Sequence, residues 1–161
     1  MRPLSLVLFV CTGNTCRSPL AQAIFNAQPN LLAHGWQATS AGLAATPGAP
    51  ATPHARTVAY EHHLDLRPHR SRPLTPELLR QASILLPMTR SHADTLKHLC
   101  RQLRDAPPVH QLGTFAPLAK QDAPPDIPDP FGQSLQAYRL CFSHIETCII
   151  RLAQTLSFQR L

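Results

Sequence analysis

Apolar positions along the chain follow two rhythms, one of strands and one of helices. Leu4 to Val10 is apolar everywhere but Ser5 and ends in a turn containing Gly13, as expected of a central parallel strand covered on both faces. Beyond it Pro19 suits the first turn of a helix, and Leu20, Ile24 and Ala27 follow at the spacing of one helical face. A second strand is expected around Trp36 to Ala41, closed by Gly42 and a Pro/Gly/Ala loop through Pro50. Thr52-Pro53 has the form of an N-cap and first-turn proline opening a helix to about His62, and Thr75-Pro76 repeats it before Leu78 and Leu79. Ser83 to Met88 reads as a third strand, Thr89 caps a helix to about Cys100, and Val109 to Leu112 reads as a short fourth strand. Last come Leu135, Tyr138, Phe142, Ile145, Ile149, Leu152 and Leu156, in alternating steps of three and four, an apolar helical stripe expected to lie on the sheet.

Strands alternating with helices predict an α/β fold of three layers, a parallel sheet with helices on both faces. At 161 residues the chain is the size of one unit, so residues 1–161 are expected to form a single domain. Two features disturb the pattern. Seven of the 24 residues from 107 to 130 are proline, a long irregular segment of the kind that carries function or stays unstructured. Pro87 falls inside the third strand, where it removes a ladder donor, so that strand end is expected to bulge or pair differently.

Composition narrows the function classes. With 43% hydrophobic and 15% charged residues the chain is not a disordered tail, and no apolar run approaches the roughly 20 residues that span a bilayer. The leading apolar run enters Cys11 with no small-residue cleavage site, so a cytoplasmic protein is expected rather than a secreted one. Five cysteines at irregular spacing agree with that, predicting free thiols. The net charge is +6, yet Lys and Arg are scattered and only two tyrosines and one tryptophan could stack on bases, which speaks against nucleic acid. No acidic residue precedes Glu61, whereas Arg2, Arg17 and Arg56 do, so the first third favours anions. His54, His62 and His63 have no carboxylate or cysteine at ligand spacing, and neither a metal nor another cofactor is expected.

The anion preference has a focus. Cys11-Thr12-Gly13-Asn14-Thr15-Cys16-Arg17-Ser18 lies between a buried strand and a helix start, where unpaired backbone N–H groups make a phosphate site. A cysteine at the base of such a nest sits in electropositive surroundings that favour the nucleophilic thiolate. An arginine six residues on can hold two phosphate oxygens in its fork. Gly13 allows close backbone approach, and Ser18 can donate a hydrogen bond to sulfur.

The run Val7 to Pro19, with Ser40-Ala41-Gly42, Met88-Thr89-Arg90-Ser91-His92 and Asp129-Pro130-Phe131-Gly132, resembles the low-molecular-weight protein tyrosine phosphatase family. Threonine at position 15 and a single aromatic before Gly132 make it most similar to bacterial protein arginine phosphatases. The resemblance implies a four-stranded parallel sheet in Rossmann-like order. It implies Cys11 as nucleophile, Arg17 as phosphate-binding arginine, Ser18 as the hydroxyl assisting the thiolate, and Asp129 as general acid. It also implies that Asn14, Ser40 and His69 support the loop and that Cys16 can form a reversible disulfide with Cys11. Thr12, Gly13, Asn14, Thr15, Cys16, Ser18 and Phe131 would contact substrate. From the residues alone Asp126 competes with Asp129, since Asp-Pro also initiates turns.

For the substrate, a phosphotyrosine pocket needs apolar and aromatic walls, and the stretch Ala44 to Pro53 has no aromatic side chain. Thr15 is small and polar, and a planar, polar guanidinium is better served by a hydroxyl and a carboxylate such as Asp129. Phosphoarginine on protein substrates is therefore the expectation, with phosphotyrosine as the alternative and free phosphate or other oxyanions as further ligands of the loop. Arsenate reduction would need a cysteine relay, but Cys141 and Cys148 are seven apart on one helix, about 10 Å along its axis and too far for a disulfide. These two and Cys100 are expected to pack in the core. A phosphoprotein-binding module without catalysis would lack nucleophile, arginine or acid, and all three are here. A monomer is expected.

Overall fold

The computed structural model describes residues 3–117 and 122–158; residues 118–121, inside the proline-rich segment, lie outside them. Three parallel strands, β1 (Ser5–Cys11), β2 (Trp36–Gly42) and β3 (Ile84–Pro87), form a sheet in the order β2-β1-β3. β1 runs down the centre in continuous register, Ser5 opposite Trp36 through Cys11 opposite Gly42 on one side and Val7 opposite Ile84 through Val10 opposite Pro87 on the other.

The period of two along β1 divides the core. Val7, Phe9 and Cys11 face one layer, shared with residues of α1 (Arg17–Asn26), α3 (Pro53–Glu61) and α6 (Leu135–Phe158). Leu8 and Val10 face the other, shared with residues of α4 (Pro76–Gln81) and α5 (Arg90–Cys100). A short helix α2 (Pro29–Ala33), unforeseen in the sequence, precedes β2 with proline in its first turn. The threonine caps stand where the sequence puts them: Thr52, Thr75 and Thr89 accept the N–H groups of Ala55, Leu78 and His92.

Two expectations are corrected. Among the described residues the sheet has three strands, not four. Around Val109 a single parallel bridge joins Leu85, with Leu85 N–H donating to the Pro108 carbonyl at 2.9 Å and His110 N–H to Leu85 at 3.0 Å. Pro108, whose carbonyl faces Leu85, has no N–H to extend the ladder, and the chain turns into a 3-10 turn at Leu112–Phe115. Pro87 pairs in register without a bulge: Met88 N–H donates to Val10, while Leu85 makes its bonds on the opposite, Val109 side. Pro87, two residues on from Leu85, has its nitrogen on that same outer side, so pairing with β1 loses nothing while the outer side has no donor at Pro87.

The stripe of α6 joins Val7 and Phe9 of β1 in one core cluster, and the helix also meets α1, α3 and the 3-10 turn. The long irregular segment is ordered in its described part by close backbone packing. A Cβ at Gly113 would fall 1.8 Å from the Pro125 carbonyl oxygen, so only glycine admits this crossing. Among the described residues no helix is long and apolar enough to cross a membrane.

Candidate active site

The loop between β1 and α1 is shaped from within. Asn14 adopts φ 56°, left-handed and uncommon outside glycine, and is fully buried. Every polar group of its side chain is used: Nδ2 donates to Ser18 Oγ at 2.8 Å and Ser40 Oγ at 3.0 Å, and Oδ1 accepts Arg72 N–H at 3.0 Å. Its carbonyl is held by His69 Nε2 at 2.7 Å. Ser40 Oγ donates onward to Gln22 Oε1 at 2.6 Å. The end of β2 presses against the same turn, because a Cβ at Gly42 would meet the Thr12 carbonyl oxygen at 2.5 Å and Asn14 N at 3.0 Å. At Gly13 the protein itself would tolerate a Cβ, with only Thr15 Oγ1 at 3.6 Å, so the tight backbone approach belongs to Gly42.

This network gives the hydrogen bonds a direction. Ser18 Oγ, accepting from Asn14, turns its own proton toward Cys11 Sγ at 3.0 Å. Cys11 is buried at the base of the loop, and α1 begins with no side-chain cap on its N–H groups and no acidic residue in its first turn.

Arg17, 4% exposed, donates from Nη1 to the Ile127 carbonyl at 3.0 Å and pairs through Nη2 with Asp129 Oδ2 at 3.3 Å. Its Nε is buried and has no partner among the described residues. Ile127 is tied in turn to the end of β3, its N–H donating to Met88 at 2.9 Å. Asp129 is half exposed; its Oδ1 accepts Phe131 N–H at 3.1 Å and lies 3.8 Å from the Cys16 thiol. Phe131 stands 65% exposed beside it in sequence. Asp126 is spent elsewhere, its Oδ1 taking Arg90 N–H at the start of α5 and Gln111 Nε2, each at 2.8 Å. Thus Asp129, not Asp126, meets the arginine.

Cys16 and Cys11 are both free and buried. Burial first, then the neighbouring Cys11 and Asp129, pushes the Cys16 thiol up to about 11. Thr15 is held by its carbonyl, which accepts Thr52 N–H at 2.9 Å, and the Thr52 hydroxyl reaches Tyr138 Oη at 3.1 Å. Cys141 and Cys148 pack in the core beneath, Cys141 pushed up to about 12 mainly by burial, and Cys100 lies in the opposite core. His54 and His62 pack on rings, Tyr138 edge-on at 5.4 Å and Phe142 stacked at 3.9 Å.

Sequence reasoning missed four contributors: Gln22, Arg72, Tyr138 as a polar group, and His92, whose Nε2 lies 2.8 Å from Thr12 Oγ1. Only His92 carried a signal, as the end of the Met88 to His92 motif.

Known proteins resemble the chain over nearly its whole length. The protein-arginine-phosphatase of Bacillus subtilis strain 168 is 36% identical over 154 residues, covering 96% of this chain and 98% of its own. The low molecular weight protein-tyrosine-phosphatase Wzb of Salmonella typhimurium is 30% identical, over 96% of this chain and 95% of its own. The solved structure of YwlE arginine phosphatase from Geobacillus stearothermophilus superimposes with a TM-score of 0.83 at 35% identity, covering 96% of this chain and 94% of that one. The family described as low molecular weight phosphotyrosine protein phosphatase matches residues 6–160, and the chain belongs to it.

Proposed function

We propose that the protein hydrolyses phosphoarginine on protein substrates through a cysteinyl-phosphate intermediate. The observation that carries this reading is the meeting of Cys11, Ser18, Arg17 and Asp129 around one uncapped helix start. The phosphoryl group enters the loop of residues 11–18, its oxygens taken by backbone N–H groups and by the Arg17 guanidinium, whose buried Nε has no protein partner among the described residues. Gly13, without a side chain, leaves that approach open.

Cys11 attacks phosphorus as the thiolate, its charge supported by the Ser18 hydroxyl. The S–P bond forms as the bond from phosphorus to the departing nitrogen breaks, and Asp129 in its acid form gives that nitrogen a proton. Water then attacks the cysteinyl phosphate with Asp129 taking its proton. The S–P bond breaks, releasing phosphate and restoring the thiolate.

The preference for arginine rests on Thr15, whose position is fixed from outside by Thr52 and Tyr138, and on the arginine-phosphatase relatives. A small hydroxyl and a carboxylate such as Asp129 suit a guanidinium better than a phenyl ring. The exposed Phe131 favours the second reading, phosphotyrosine, since a lone aromatic wall can hold a ring. Five thiols without a disulfide fit a reducing compartment, and we place the enzyme in the cytosol.

The test is steady-state hydrolysis of matched phosphoarginine and phosphotyrosine peptides by the wild type, Cys11→Ser and Thr15→Ile, without added metal. The reading expects phosphoarginine preferred, Cys11→Ser inactive, and Thr15→Ile shifted toward phosphotyrosine. A wild type that prefers phosphotyrosine keeps the mechanism and overturns the substrate. Cleavage of neither peptide overturns both.

A further inference from the structure

His92 lies in the first turn of α5, 7% exposed, with its N–H held by the Thr89 cap and its ring turned to the phosphate loop. Nε2 stands 2.8 Å from Thr12 Oγ1, while Nδ1 is buried with no partner among the described residues. A neutral imidazole carries one proton. On Nδ1 it would leave a buried N–H without an acceptor, a rarer and costlier arrangement than a bare lone pair. On Nε2 it finds Thr12 Oγ1. The tautomer is therefore Nε2–H, and Thr12 Oγ1 is an acceptor from His92.

That assignment decides what Thr12 can do. Its carbonyl is already taken by Ala44 N–H at 2.9 Å, and its hydroxyl oxygen by His92, so its own O–H points elsewhere. Thr12 is also exposed, in a loop whose other polar side chains are buried or half-buried. We propose that His92 is a positioning residue that fixes the Thr12 hydroxyl as a hydrogen-bond donor at the mouth of the phosphate loop. The donor serves the phosphoryl group or the atom that carries it.

This rests on the phosphatase reading for its use, though not for its geometry. Of the charged groups around His92, Arg17 on α1 opposes an imidazolium, and Asp126 and Asp129 before α6 favour it. Burial outweighs the two acids and holds the ring below the ordinary histidine range, so the neutral form is the working one.

Two measurements test it. Long-range 15N–1H NMR on the full-length protein at neutral pH should show the Nε2–H tautomer for His92, with a slowly exchanging proton that exchanges faster in Thr12→Val. An Nδ1–H tautomer or an imidazolium overturns the proposal, whatever the enzyme's activity. In kinetics, Thr12→Val and His92→Phe should each lower kcat/KM for the phosphopeptide about tenfold, and the double variant no further than either alone. His92→Gln, whose amide N–H reaches where Nε2 stands, should recover most of the loss. Losses that multiply to about a hundredfold, or a silent Thr12→Val, overturn the positioning role. If His92→Phe does not fold, Thr12→Val and His92→Gln still give the rescue comparison. A wild type active on neither peptide removes the phosphatase reading, and the tautomer then decides the geometry alone.

Discussion

The two loops that meet at Arg17 are built on opposite terms. Residues 11–18 are held by hydrogen bonds from β2, from His69 and from Arg72, with Asn14 and Ser18 wholly out of solvent. Residues 129–133 are held by short-range contacts within the loop, such as Phe131 N–H to Asp129 and Gln133 Nε2 to the Asp129 carbonyl at 2.9 Å, and Asp129 and Phe131 are open to water. On the proposed mechanism the first loop must present donors at positions fixed before charge develops, which demands a preorganised frame. On the same mechanism the second must deliver and recover a proton at a leaving group that enters from solvent, which demands access. Rigidity would then be concentrated where phosphorus sits and withheld where the leaving group departs.

Substitutions can break or sharpen that contrast. The largest effect belongs to the nucleophile: Cys11→Ser should cut kcat by at least about 10⁴-fold while leaving Tm almost unchanged, read by kinetics and calorimetry together. Asp129→Asn comes next, lowering kcat roughly 10²- to 10³-fold with little change in stability, and a pre-steady-state burst would show which of the two steps has slowed. In the rigid loop the cost should appear in folding. Asn14→Ala removes three hydrogen bonds and takes a partner from Ser18, Ser40 and the Arg72 N–H, so it should lower stability by about 2–4 kcal/mol in urea unfolding, along with activity. An unchanged Tm in Asn14→Ala would show that the network is ornamental to the fold.

A smaller effect follows from the histidines that brace the frame. Burial holds the His69 and His92 imidazoles below the usual range, so both are neutral in the folded protein, whereas in the unfolded chain they titrate near about 6.5. The unfolded state thus binds more protons below that value. Their contribution is complete above it and is lost as pH falls through it toward the folded values. Tm should decline on acidification from neutral pH, and His69→Gln, which keeps a donor for the Asn14 carbonyl, should flatten the decline. Smallest of all, Phe131→Ala should raise KM a few-fold and leave kcat and Tm alone, because an exposed ring acts only once substrate is present.

Much of this was legible in the sequence because it depends on local rules. A strand followed by a Gly-containing turn and a helix places Cys11, Gly13 and Arg17 without any tertiary knowledge, and Thr-Pro pairs announce α3 and α4. What could not be read there depends on chain crossings. Val109 to Leu112 reads as a strand, but a ladder to β3 needs donors that Pro87 and Pro108 lack, and one bridge to Leu85 is formed there. Asp126 and Asp129 are indistinguishable by spacing until Gln111 and the start of α5 claim the first. Arg72 reaches Asn14 from a distant position and Gln22 acts through Ser40, and neither carries a motif of its own.

The central placing of β1 has a consequence for how the molecule is made. Residues 5–11 leave the ribosome before the segments that pair with their edges, residues 36–42 and 84–87. At about 5–20 residues per second the second edge stays open for roughly 4–15 s after β1 emerges. A Leu/Val/Phe-rich segment with exposed backbone donors is then at its most prone to self-association. Yield on synthesis and on refolding is therefore governed by how quickly β3 arrives, and crowding of nascent chains penalises this protein before any loss of its final stability does.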